Sequence, residues 1–356
     1  PGNYLVNYPA GGTLFTNTGN ISLNGLGSIG IIISENSANG KIMNFGKTAI
    51  TFTKALELTG DETVGIYAQN STAAAFDPSL SSMNINIGTT GNKSSTIGNA
   101  TGGDPDYTEN AAGFYTDAAK LTLNLGNGST TGTGIHNILF GDKAKASSLV
   151  RADGGELTIT GNVLVNKGES NIGLAATGGN IISNANLTVS AGSGNAGAYA
   201  QNNGTFTNNR DITVSGNGTN GVIAAQNNGN IINNGNIITS DNGAAVVLAG
   251  GNFTNTSTGT IITKNSSAGI YASSDVSGNT VVLNGDGVIA GNKGIAFYSG
   301  YDSNNNTTGK IKFGGTPVGT IQSGGLMFFN NYSSSNGVAG TNYGQFVINP
   351  GTSVKV

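Results

Sequence analysis

Cysteine and tryptophan are both missing from this chain of 356 residues, histidine occurs once, and the two arginines are Arg151 and Arg210. Without thiols there is no disulfide, no thiolate metal site and no cysteine nucleophile; a repetitive hydrogen-bonded stack needs no such staple. A single histidine, His136, leaves a Ser-His-Asp relay without assembly. Charge is scarce as well: 9% of residues are charged, against about a quarter in ordinary soluble domains. The net charge of −3, with Lys and Arg scattered along the chain, offers no basic stripe for nucleic acid. No apolar run reaches the length of a membrane-spanning helix. The opening residues lack the pattern of a signal peptide, and the chain reads as a segment of a larger precursor.

What fills the space is glycine, asparagine and threonine, interrupted by short apolar runs at a fixed period. The glycine opening one class of run recurs at Gly173, Gly197, Gly221, Gly243, Gly269 and Gly294. Self-similarity at such a regular interval indicates a stacked architecture, because no single repeat can bury its own apolar face. Periodic Ile, Val, Leu and Phe also argue against disorder, which low charge and polar neutral composition would otherwise suggest.

Each repeat holds three apolar runs. The first follows the anchor glycine, as in Gly269-Ile-Tyr-Ala272. The second follows another glycine: Gly179-Asn-Ile181, Gly204-Thr-Phe206, Gly229-Asn-Ile231, Gly251-Asn-Phe253. The third alternates β-branched residues: Leu187-Thr-Val189, Ile212-Thr-Val214, Ile237-Ile-Thr239, Ile261-Ile-Thr263. Short Val/Ile/Thr-rich runs bounded by Asn and Gly are strand signals, and helical spacing is absent over any long stretch. The expected fold is all-β: a right-handed parallel β-helix (solenoid) with about three short strands per coil of roughly 22–26 residues, forming one segment over 1–356.

The pattern reaches both ends. Leu14, Ile21–Leu23 and Gly30-Ile-Ile read as second, third and first strands; Leu157 and Val163–Val165 supply another coil; Gly325-Leu-Met-Phe-Phe329 continues the series. Gly65 and Gly113 open first strands two periods apart. The excess falls in 71–110, a Ser/Thr/Gly/Asn-rich span. It reads either as a degenerate coil with long turns or as an inserted loop leaving the body, where loops on a rigid scaffold carry function.

Alternation assigns the faces. After the anchor glycine, the first and third positions point inward and the second outward. The second position holds Tyr67, Tyr115, His136, Tyr199, Ile223 and Tyr271. Tyr67, Tyr115, Tyr199 and Tyr271 are therefore candidate partner-binding residues, since tyrosine is enriched at binding hot spots. The alternative role is structural, each tyrosine covering the coil beside it and stabilising the sheet. Tyr298 and Tyr301 are expected near the same face. Ser183, Asn208, Asn233 and Asn255 share one inward offset, where stacked amides bond along the axis.

Apparent chemical motifs dissolve on the repeat. Gly25–Gly30, Gly192–Gly197 and Gly216–Gly221 each match G-x-G-x-x-G, but each precedes a strand rather than the helix a dinucleotide site requires. They read as turns between third and first strands, where glycine supplies positive φ. Asp302-Ser-Asn304-Asn-Asn306 begins like a calcium loop, then has Thr307 and Phe313 where glycine and glutamate are needed. Asp104, Asp106 and Glu109 place three carboxylates inside the candidate insert; they read either as a holder for a hard cation or as a solubilising loop, and are taken as candidate partner-binding residues. Hydrolysis on a β-helix needs carboxylates at matching offsets on neighbouring coils. Asp117, Asp153, Glu156, Asp211, Asp241, Asp275 and Asp286 are read at differing offsets, so no catalytic residue, cofactor or metal ligand is expected.

The units Gly197-Ala-Tyr-Ala-Gln-Asn-Asn-Gly-Thr-Phe-Thr-Asn-Asn209 and Gly221-Val-Ile-Ala-Ala-Gln-Asn-Asn-Gly-Asn-Ile-Ile-Asn-Asn-Gly-Asn-Ile237 resemble passenger repeats of bacterial type V autotransporters. The likeness is greatest to the large fusobacterial outer-membrane adhesins, with their GIYAxNGGxIxNxGxI units. It is clearest over 170–300 and looser before 160. The resemblance implies a right-handed β-helix exported through a translocator barrel that this chain lacks and displayed on the bacterial surface. It also implies a non-catalytic adhesin, monomeric, whose partner is a host-cell receptor or glycan or another bacterial surface. The motif covers scaffold positions only, so no binding residue carries over. A carbohydrate-active β-helix of the lyase or tailspike kind, and a passive stalk, are the alternatives.

Overall fold

In the computed structural model, residues 4–9, 14–17, 21–35, 49–52, 56–70, 83–87, 93–97, 108–125 and 136–225 are described, followed by 228–264 with breaks at 242 and 257. After these, 268–272, 280–284, 288–291, 295–299, 310–313, 321–323, 326–330, 345–347 and 354–355 are described as strands. There is no helix among the described residues. The chain is all-β, and its strands stack in parallel as a β-solenoid. It divides into two compact units: 1–188 with 192–195, and 189–191 with 196–356.

In the first unit the first-strand stack runs Tyr4–Pro9, Ile29–Glu35, Val64–Asn70, then the opening parts of Ala112–Leu125 and Ser148–Val165, then Ile172–Thr177. The second stack holds Leu14–Asn17, Ala49–Phe52, Met83–Ile87 and the end of Ala112–Leu125. The third holds Ile21–Leu23, Leu56–Leu58, Lys93–Ile97 and His136–Phe140, followed by residues 162–164.

Coil length in this unit departs from the expected period. Ile29 pairs with Val64 and Val64 directly with Ala112, so the whole stretch from Val64 to Ala112 forms one coil rather than two. The span 71–110 is correspondingly not a single excursion. Met83–Ile87 and Lys93–Ile97 lie inside it as the second and third strands of that coil, hydrogen-bonded to neighbours on both sides. Asp104 and Asp106 lie outside the described residues. His136 likewise leaves the outward tyrosine column: it pairs with Lys93 in the third stack. Gly134-Ile-His136 imitates a first strand, but the first-strand position of this coil is already filled by 112–117.

The second unit keeps the period closely as far as Ala268–Ala272, and beyond it the step lengthens, with Ala268 paired to Ile295 and Ile295 to Leu326. Ala196 pairs with Asn220, Asn220 with Ala244 and Ala244 with Ala268, the same step each time. Phe206, Ile231, Phe253 and Leu283 align in the second stack, and the first three are fully or almost fully buried. Ile212, Ile237 and Ile261 do the same in the third. The alternating pattern of each strand is thus read out directly as inside and outside.

Turns close each coil with the expected chemistry. Gly192, Gly194, Gly216 and Gly218 all have positive φ, as the glycine-rich turn reading requires. At Gly113 the constraint is close approach instead: a Cβ there would stand 2.6 Å from the Leu149 carbonyl oxygen of the next coil.

Buried amides hold the turns in line. Asn208 donates from Nδ2 to Asn233 Oδ1 at 2.8 Å, and Asn233 Nδ2 to Asn255 Oδ1 at 2.8 Å. Each also donates to a nearby carbonyl, on Arg210, Gly235 and Gly259 respectively. A second ladder runs up the corner between third and first strands of the first unit. The Ala111 N–H donates to Ser147 Oγ, the Ser147 N–H to Asn171 Oδ1, and the Asn171 N–H to Asn195 Oδ1. The Asn171 and Asn195 amides complete it by donating to the Ala144 and Lys167 carbonyls. Buried backbone N–H groups at a turn need such partners, because orphaned ones are costly.

Two stability outcomes follow. Phe206→Ala and Ile231→Ala should each cost about 2–5 kcal/mol through cavity formation, read as lower denaturant midpoints. Asn233→Ala, which leaves Asn208 Nδ2 and Asn255 Oδ1 short of a partner, should cost about 1–3 kcal/mol. Unchanged midpoints would contradict the inward register.

Candidate functional site

The outward position of the first strand carries most of the chemistry. In the first unit it holds Tyr67, Tyr115 and Arg151 in strict register, with the buried Ala175 paired next to Arg151. Parallel pairing sets neighbouring side chains about 4.8 Å apart, and the two tyrosines use this spacing fully. Their ring centroids are 4.8 Å apart with planes inclined by 18°. The Arg151 guanidinium lies over the Tyr115 ring, 5.6 Å from its centroid, a cation–π arrangement. Both phenols are half-buried. Tyr115 thus has one ring face against Tyr67 and the Arg151 guanidinium over its ring.

Two residues further along each strand lies an acidic column. Gln69 pairs with Asp117 and Asp117 with Asp153. The offsets read from the sequence are therefore corrected for this pair: Asp117 and Asp153 stand directly opposite on neighbouring coils. The match escapes the sequence because Leu149 occupies the position of the anchor glycine, so the coil carrying Asp153 has no visible origin for counting.

Like charges directly opposite are destabilising in a sheet, and local donors offset this. Tyr115 Oη donates to Asp153 Oδ2 at 2.8 Å, and Arg151 clasps the same carboxylate through Nε and Nη2, the closest contact being 2.7 Å. Tyr67 Oη donates to Asp117 Oδ2 at 3.4 Å. Each phenol thus reaches the carboxylate of the following coil. Burial, reinforced by the charge of and hydrogen bond to Asp117, pushes the Tyr67 phenol up to about 12. Burial and the Asp153 hydrogen bond push Tyr115 higher still, against the opposing charge of Arg151.

In the second unit the same register position holds Tyr199, Ile223, Val247, Tyr271, Tyr298 and Phe329. Tyr199 and Tyr271 are half-buried, and Tyr199 Oη donates to Gln201 Oε1 at 2.8 Å. Burial raises the Tyr199 phenol. Tyr298 takes the expected place in register with Tyr271, while Tyr301 and the calcium-like run 302–306 lie outside the described residues.

Glu109 is placed at a corner rather than on a projecting loop. It pairs with Lys145 in a two-stranded ladder and forms an ion pair with Lys145 Nζ at 2.8 Å. Lys145 bridges in turn to Glu169 through the backbone, and Lys167 pairs with Asp142 at 3.0 Å. Charges of alternating sign here tie coil to coil. Exposed pairs of this kind contribute little each.

Among the described residues, the outward positions of the second and third strands mix polar side chains with Ile232, Ile238 and Ile262. Exposed amides repeat the axial bonding of the interior: Asn228 donates to Asn203, Asn234 to Asn209 and Asn236 to Asp211. No group of three or more His, Asp or Glu side chains suited to a metal ion occurs among the described residues. Compared with known proteins, the chain matches no family model and no curated sequence.

The phenols make stability pH-dependent at the alkaline end. A tyrosine whose folded pKa is raised favours the fold fully below the ordinary value of 10.0, and that contribution is lost as pH rises through the folded value. The urea midpoint of the wild type should therefore fall between pH 10 and about 12. The fall should be shallower in Tyr67→Phe and Tyr115→Phe, with phenolate absorbance reporting the titration.

Proposed function

We propose that this chain is a non-catalytic adhesin segment, an autotransporter passenger displayed on a bacterial surface, whose β-solenoid wall binds a host-cell receptor or glycan or another bacterial surface. One observation carries this reading: the outward side chains are held in axial columns by coil-to-coil register, from Tyr67 to Arg151 in one unit and Tyr199 to Tyr271 in the other. Groups fixed in this way bind without a large ordering cost. The repeat resemblance supplies the cellular setting, in which a translocator barrel elsewhere in the precursor anchors the segment. The chain acts as a monomer and without a cofactor.

In the first unit the contact is made chiefly through hydroxyls and carboxylates, since Tyr115 is stacked between Tyr67 and Arg151. In the second, Tyr199 and Tyr271 are the outward aromatics. A second reading rests on the register of Asp117 with Asp153, which meets the neighbouring-coil requirement for a carbohydrate-active β-helix. The Arg151 clasp on Asp153 favours the first, because the oxygens of that carboxylate are already engaged by Arg151 and Tyr115 rather than left open to a substrate.

The test uses the purified chain immobilised on beads and scored for capture of epithelial cells and of partner bacteria. Binding should require the folded chain. Tyr199→Ala and Tyr271→Ala should lower it several-fold while leaving the thermal midpoint near wild type. Loss of stability with unchanged capture per folded molecule would assign this column to structure. Failure of the folded wild type to bind either cell type would favour the stalk. Release of new sugar ends from a polysaccharide panel would favour the enzyme.

A further inference from the structure

The Tyr67–Tyr115 pair is unlike the other outward tyrosines. The two rings lie on neighbouring coils in direct register, stacked at 4.8 Å and inclined by only 18°. Each hydroxyl already donates to a carboxylate, Tyr67 to Asp117 and Tyr115 to Asp153. Both rings are half-buried rather than sealed. Between them in sequence lies the long coil that runs from Val64 to Ala112, closed only by non-covalent contacts. The chain has no cysteine with which to staple it.

We infer that Tyr67 and Tyr115 form an oxidative cross-linking site, in which a peroxide acting through a one-electron oxidant joins the two rings as dityrosine. Each phenol gives up one electron to the oxidant and its O–H proton to the carboxylate that accepts its hydrogen bond. The two phenoxyl radicals couple through ring carbons ortho to oxygen, forming one C–C bond. Each coupled carbon then releases its hydrogen as a proton and each oxygen takes one back, restoring two phenols. The pair loses two hydrogens in all. The peroxide O–O bond breaks, and two electrons and two protons reduce it to two waters.

Three features serve this step. Register holds the radicals side by side, so coupling competes with escape as an intramolecular reaction does. A carboxylate at hydrogen-bond distance receives the phenol proton as the electron leaves, so a free phenolate is not needed. The two strands are already paired in register at this point, so the rings begin the step as immediate neighbours. The product would tie together the ends of the long coil, and a covalent link across such a loop removes conformational freedom chiefly from the unfolded chain.

The inference is independent of adhesion and is tested on the whole chain with hydrogen peroxide and a haem peroxidase, and in parallel with a photo-oxidised ruthenium complex that needs no docking. The expected result is dityrosine fluorescence in a species that stays monomeric on a denaturing gel. Peptide mapping should find one cross-link, between the segments containing Tyr67 and Tyr115, lighter by two hydrogens than their sum. Tyr67→Phe and Tyr115→Phe, which keep the ring and the stack, should each abolish that peptide; Tyr199→Phe should not. The cross-linked monomer should melt at a higher temperature than the untreated chain. The proposal is overturned if the folded wild type yields no Tyr67–Tyr115 peptide while the urea-unfolded chain gives dityrosine under the same treatment. It is overturned equally if the cross-links are all intermolecular, or if they survive Tyr115→Phe.

Discussion

Parallel hydrogen bonding between successive coils is the constraint on which everything else depends. Once Ala196 is paired with Asn220 and Asn220 with Ala244, every side chain of the coil has an assigned neighbour above and below. The same rule packs Phe206 on Ile231 on Phe253 inside and Tyr67 on Tyr115 outside. Interior and surface are therefore not separately designed. A substitution at one offset is felt by the two coils that share it, and energetics in such a stack are close to nearest-neighbour sums.

This constraint explains why asparagine dominates the turns. A turn between stacked strands leaves N–H and C=O groups that no ladder satisfies, and these cannot be buried alone. An inward amide answers both needs, since one carbonyl accepts while two N–H groups donate. Asn233 accepts from Asn208 and donates to Asn255 and to the Gly235 carbonyl. Asn171 and Asn195 perform the same service at a different corner, accepting backbone N–H groups from the coil below. Polarity in the core is thus compatible with a dry interior, because the ladder amides bond to one another and to the turn carbonyls beside them.

Much of this is legible in the sequence where the period is strict. The inward Phe206 and Ile231 and the Asn208–Asn233–Asn255 ladder follow from counting offsets, whereas Gly243 and Gly294, counted as anchors, fall two residues ahead of the anchor position, which Ala245 and Ala296 occupy. The count fails where its origin is lost. Leu149 in place of glycine hides the alignment of Asp117 with Asp153, and the sequence Gly134-Ile-His136 copies a first strand where His136 opens a third. The coil from Val64 to Ala112 has the length of two, because turn residues can be added between strands without disturbing strand register. Asn171 and Asn195 are visible, each two residues before an anchor glycine. Their role is not, because the N–H groups they satisfy belong to the preceding coil and leave no trace in the local pattern.

The buried amide ladder has a consequence for how such a chain changes over generations. An asparagine offers its acceptor to the coil before and its donor to the coil after, so the two faces of the interior rung are complementary to each other. Recombination between similar repeats that excised the coil of Asn233 would bring Asn208 Nδ2 against Asn255 Oδ1, and no buried partner would be orphaned. Duplication of the coil would simply insert another rung. The gene can therefore gain or lose whole coils with little energetic memory of the event, whereas a shift of a single residue turns every side chain of a strand from core to solvent. Length is the freely variable property of this molecule, and phase is the protected one.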